Sequence, residues 1–139
     1  MSESPSPRID DVLYDIPVEY RDRYNELLQR PPISVEKLRE YVKKYISTVK
    51  QVGLMVKLLD MEQADTLAQT ALVLLDSIEP GHPASTKLII TAAVSYFVFE
   101  EEDEEITGVL GFDDDVQVFN AVSRALGRTD LIIPVKRQG

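Results

Sequence analysis

The densest grouping of residues in this chain that could do chemistry is one of carboxylates. Glu100, Glu101, Glu102, Asp103, Glu104 and Glu105 follow one another without interruption, and Asp113, Asp114 and Asp115 come shortly after. Carboxylates this close raise one another's pKa or gather cations, and Mg²⁺ and Ca²⁺ prefer such hard oxygen ligands. The spacing is not that of an EF-hand loop, and neither a phosphate-cradling loop nor a base–nucleophile pair stands beside it. The chain has one histidine and no cysteine, which excludes disulfides, thiolate catalysis, iron–sulfur clusters, cysteine zinc sites and multi-histidine metal centres. His82 lies in Pro80-Gly81-His82-Pro83, where a polar turn residue is the expectation and a lone catalytic base is not. The sequence therefore assigns no catalytic residue, no cofactor and no metal ligand. Three uses of the acids stay open: an exposed lip that docks a basic partner, a carboxylate metal site, or a solvated face in which Asp113 to Asp115 only cap a helix.

The charge is unevenly spread. The chain of 139 residues carries 15 Lys and Arg against 24 Asp and Glu, a net charge of −9. Residues 1–60 hold ten of each sign and cancel, so the excess resides in residues 61–139, with five basic and fourteen acidic side chains. Such a field repels phosphate backbones and anionic lipid, making nucleic acid or a membrane an improbable partner. It attracts basic protein surfaces and divalent cations. Met1 to Arg8 lacks the apolar core of a secretory leader, and the expected location is cytoplasmic. The longest apolar stretch, Leu88 to Phe99, is far shorter than the roughly 20 residues a membrane span requires.

Hydrophobic periodicity predicts an all-α, single-domain bundle of about five helices over residues 15–135, with a disordered tail at 1–14 and a short tail at 136–139. Order is expected from near Pro17. A first helix carries Tyr20, Tyr24, Leu27 and Leu28 and stops at Pro31-Pro32. Ser34 offers an N-cap to the next helix, with Glu36 in its first turn. There Val35, Val42, Val49 and Val56 recur every seven residues, and Leu38, Tyr45, Val52 and Leu59 fall three after each. This heptad seam packs on a near-parallel or antiparallel neighbour, either inside the chain or across a homodimer. Lys43, Lys50 and Lys57 form a basic stripe beside it.

After Asp60 the phase breaks and Ala64, Leu67, Ala71, Leu74 and Ile78 begin a second set. Asp60 and Gln63 have the form of a capping box, consistent with a tight corner, although one bent helix over 34–78 is the alternative. From Ala84 a helix apolar nearly all round should lie at the centre and fray at the acidic run. An apolar loop, Ile106 to Phe112, leads to a last helix through Val116, Phe119, Val122 and Leu126. That helix closes at Gly127, and a strap from Leu131 to Val135 should pack on the bundle.

Within this pattern, Val109 and Leu110 followed by Gly111-Phe112-Asp113-Asp114-Asp115 match an apolar pair and a Gly-x-x-Asp-Asp element. Over about residues 88–126 the chain thereby resembles the YkvA-like family of small bacterial proteins of unknown function. Counting back without gaps, Glu101 and Glu105 fall on that family's two turn aspartates, and Tyr96 lies within about one residue of its tyrosine. Phe99, Glu102, Asp103 and Glu104 replace its turn prolines and Leu-Ile. The resemblance implies a C-terminal helical hairpin with acids clustered at its turn, and no reaction. Composition and pattern together predict a non-enzymatic interaction or regulatory module. Its acidic hairpin end, Glu101, Glu104, Glu105, Asp114 and Asp115, would meet a basic surface of another protein. The alternatives are a divalent-metal site at those carboxylates and a structural homodimer through the 35–59 seam.

Overall fold

In the computed structural model, residues 8–31, 33–53, 61–99 and 113–134 are described. Among them the chain is helical without strands: α1 (Ile9–Asp15), α2 (Val18–Gln29), α3 (Val35–Gly53), α4 (Met61–Asp76), α5 (Ala84–Val98) and α6 (Asp113–Ala125), then a 3₁₀ turn (Thr129–Leu131). Buried side chains from all six α-helices join in one hydrophobic core.

The predicted bundle is thus present, with one more helix at its start. Ile9, Val12 and Leu13, within the stretch assigned to a tail, and Ile16 just beyond it lie at i, i+3, i+4 and i+7, and Val12 and Ile16 are fully buried. Seven residues are too few for a helix to persist alone in water, so α1 depends on that burial. It is also tied down at its edges. Arg124 Nε donates to Asp15 Oδ2 at 2.6 Å, and the Arg21 guanidinium donates to the Ile16 carbonyl at 3.0 Å.

Pro17 stands at the N-cap of α2, one position before the first helical residue, Val18. Ser34 caps α3 as expected, its Oγ accepting from the Lys37 N–H at 3.3 Å. The described part of the seam packs inside the chain: Leu38, Val42 and Val49 are fully buried, and α3 packs on α4 and α5, while Val52, Val56 and Leu59 lie outside the described side chains. Two ion pairs, Arg39 with Asp76 and Lys50 with Asp65, place the end of one helix beside the start of the other, so α3 and α4 form an antiparallel hairpin. Both pairs are exposed and contribute little energy; their value here is to report register. Two helices, rather than one over 34–78, are present, and the corner at Asp60 lies outside the described residues. Ala64, Ala68 and Ala71 keep α4's inner face shallow, letting neighbouring helices approach.

Helix α5 touches each of the other five, which explains why its middle is apolar around the whole circumference. An aromatic ladder crosses it: Tyr45 and Phe97 meet edge-on with centroids 4.9 Å apart, and Phe97 and Phe119 follow at 5.7 Å. Tyr24 reaches it from α2, its hydroxyl donating to the Ile89 carbonyl at 2.9 Å.

Helix α6 ends as its sequence implies. Gly127 has φ +71°, with Arg128 N–H donating to the Ser123 carbonyl at 2.8 Å and Gly127 N–H to that of Arg124 at 3.1 Å, the paired bonds of a Schellman motif. The strap then returns over the bundle. Ile133 is buried, and the buried Asn120 amide donates to its carbonyl at 2.8 Å and accepts from its N–H at 2.7 Å.

Candidate functional site

The ends of α5 and α6 bracket the acidic run, and one hydrogen bond joins them. Tyr96, in the last turn of α5, is buried to 3 % exposure because its ring lies on the core side of that helix. Its hydroxyl donates to Asp114 Oδ2 at 3.1 Å, in the first turn of α6. A carboxylate there also meets the positive end of the α6 dipole, a favourable placement for an acidic side chain. Asp115 is more deeply placed, 8 % exposed. From α2 the Arg23 guanidinium covers the Tyr96 ring at 4.6 Å from its centroid. Three helices therefore converge on one phenol.

The electrostatics follow from that geometry. Burial pushes the Tyr96 phenol well above its ordinary value; the charges of Asp114 and Asp115 and the bond to Asp114 push further, while Arg23 opposes them. Tyr96 consequently acts as a permanent donor. It cannot serve as a base near neutrality, and its proton is committed to Asp114.

Of the five residues assigned to partner contact, the structure brings Asp114 and Asp115 to this junction. Glu101, Glu104 and Glu105 lie outside the described residues, as do the apolar loop at 106–112 and the basic Lys57. Asp114 is engaged by Tyr96 from within the chain, a structural role that the sequence did not disclose. The resemblance pointed to Tyr96 but not to its bond, and nothing in the sequence singled out Arg23, which lies on a different helix. Among the described residues no group of three or more His, Asp and Glu could hold a metal ion. His82 keeps to its turn, its Nδ1 accepting from the Glu79 N–H at 3.0 Å.

A second feature adjoins the junction. Between the end of α2 and α5 opens a cleft of about 230 Å³, with Leu27, Ile33, Leu88, Ala92 and Phe99 among its lining. Phe99 is 37 % exposed and leans edge-on against Tyr41 at 5.3 Å. No described helix is long and apolar enough to cross a membrane.

The chain matches no family model, no curated protein and no solved structure. Its functional reading accordingly rests on residues and geometry.

Proposed function

We propose that this chain is a non-enzymatic, cytoplasmic binding or regulatory module that docks a basic surface of another protein through the acids of its YkvA-like hairpin, Glu101, Glu104 and Glu105, with Asp114 and Asp115 at the root. The observation that supports it is the Tyr96–Asp114 bond. By joining the last turn of α5 to the first turn of α6, it brings together the two described helix ends between which, in sequence, the six successive acids lie. The remaining excess of acids in residues 61–139 reinforces that sign. A field of this kind speeds and orients encounter with a cationic surface, and its contribution is screened by salt.

The test is quantitative binding of the full chain to a protein captured with it from its native cells. Affinity should fall steeply, on the order of 100-fold, when ionic strength rises beyond about 0.5 M, where screening acts within a few ångströms. Charge reversal at Glu101, Glu104 and Glu105 together should reduce it comparably without moving the thermal midpoint. Affinity indifferent to both would reject the proposal.

A further inference from the structure

Two exposed faces of this chain are complementary to each other. On α3, Lys37, Tyr41 and Lys44 stand at i, i+4 and i+7, on one side of the helix, and all three are exposed. Leu38, Val42 and Val49 are buried on a different side. Arg39 and Lys50 are paired with Asp76 and Asp65, whereas Lys37 and Lys44 have no ion-pair partner among the described residues. Glu36 and Glu40 lie on the next strip round the helix, away from Tyr41. The Tyr41 ring is held between the two lysines by its edge-on contact with Phe99 at 5.3 Å.

At the corner between α1 and α2 the sign is reversed. Tyr14 and Val18, 79 % and 69 % exposed, are the two most exposed large hydrophobic side chains among the described residues. Asp10 and Asp11 stand one helical turn before Tyr14, and Asp22 one turn after Val18; all three acids are exposed. None has an ion-pair partner among the described residues. Arg8 and Arg21 are the cations of this corner, and Arg21 is engaged by the Tyr14 and Ile16 carbonyls at 3.4 and 3.0 Å. Helix α3 has α4 and α5 as its main neighbours, and α1 has α2, α5 and α6, so the two faces stand on different sides of α5 and do not meet within one chain.

We propose that copies of this chain associate head to tail, the α3 stripe of Lys37, Tyr41 and Lys44 on one copy seated on the Tyr14 and Val18 corner of the next, with the lysines opposite Asp10, Asp11 and Asp22. Exposed apolar surface rimmed by polar groups marks interaction sites, and the stripe supplies the converse of this rim, an aromatic ring with a cation at each end. The net charge of −9 opposes assembly only weakly at physiological ionic strength, where charges beyond about 8 Å are largely screened and the facing pairs decide. Because the two faces differ, the contact is heterologous and grows chains or rings, unlike a symmetric homodimer through the 35–59 seam. It is also small, which sets its dissociation constant at about 0.1–1 mM.

Sedimentation of the full wild-type chain in about 0.15 M salt should show the weight-average mass climbing above that of one chain as concentration approaches about 1 mM. Lys37→Glu with Lys44→Glu, or Asp11→Lys with Asp22→Lys, should each abolish the rise. An equal mixture of the two variants should restore it, because each then presents a face that complements the other. Asp10 and Glu19 are left in place to serve the first turns of α1 and α2, and circular dichroism checks that both variants fold. Tyr14→Ser should weaken association about ten-fold. Carbodiimide coupling of nitrogen-15-labelled chains mixed with unlabelled ones should join Lys37 or Lys44 to Asp10, Asp11 or Asp22 in mixed-isotope pairs; with the wild-type mass, this decides the matter should a reversed variant fail to fold. A wild-type mass that stays at one chain, a rise that survives either reversal, folded variants whose mixture remains monomeric, or coupling of Lys37 and Lys44 to residues 100–105 instead would each overturn the inference.

Discussion

Replacing Tyr96 by phenylalanine removes one hydroxyl and leaves the ring, its packing and the Arg23 contact in place. What is lost is the bond to Asp114 at 3.1 Å, the link between α5 and α6. Hydrogen bonds to charged groups contribute about 1.5–3 kcal/mol, and Asp114 is only half-buried, so water can partly replace the lost donor. The lower end, about 1.5 kcal/mol, is therefore expected. For a chain of this length each kcal/mol moves the thermal midpoint by about 4 °C, giving a fall of about 6 °C. Urea unfolding followed by circular dichroism measures the free energy, with Asp114→Asn and the double variant completing a cycle. Coupling should exceed about 1 kcal/mol, because the second substitution then has little left to remove. A loss below about 0.5 kcal/mol for Tyr96→Phe, or additivity within about 0.3 kcal/mol, would show that the two side chains are neighbours without being a latch.

Alkaline pH offers an independent check, since burial raises the phenols of both Tyr24 and Tyr96 far above their ordinary value. Their stabilisation is complete below about pH 10 and is lost as pH rises towards the folded-state values, at about 1.4 kcal/mol per pH unit for each phenol. Phenolate absorbance should then show two of the six tyrosines ionising only with unfolding, and stepwise ionisation of all six in the folded chain would refute the burial. Asn120→Ala removes both bonds to Ile133; a cost of about 1–3 kcal/mol and faster proteolysis within 129–134 are expected, and unchanged protease resistance would mean that packing alone holds the strap. Ser123→Ala should raise the thermal midpoint by a few degrees, because the Ser123 hydroxyl is fully buried with no hydrogen-bond partner among the described residues and alanine is the better helix former. A fall would show that the hydroxyl has a partner.

What could be read from the residues follows from how far each signal reaches. The first half of the α3 seam, the Ser34 cap, the Pro17 start and the Gly127 stop are local: each is a relation between residues within a few turns, and each is present. The position of α5 was also legible, because a helix apolar on every side can satisfy itself only by being surrounded. Helix α1 shows the converse. Its apolar residues Ile9, Val12 and Leu13, with Ile16 at the C-cap, stand at helical spacing, but the Ser- and Pro-rich composition before them outweighed a pattern only two turns long.

At the candidate site the sequence determined the material and not its use. It fixed how many acids there are, that they cluster in the second half, and that Asp113 to Asp115 open a helix, since composition and short-range order are properties of the chain itself. Tertiary structure alone decided that Asp114 faces Tyr96, that Arg23 covers the same ring from α2, and that Asn120 holds the strap. These contacts join residues 13 to 73 positions apart, and no local preference encodes them. They arise because burying the apolar faces of α2, α5 and α6 against one another brings their polar edges together, where each buried donor must find an acceptor or forfeit its hydration.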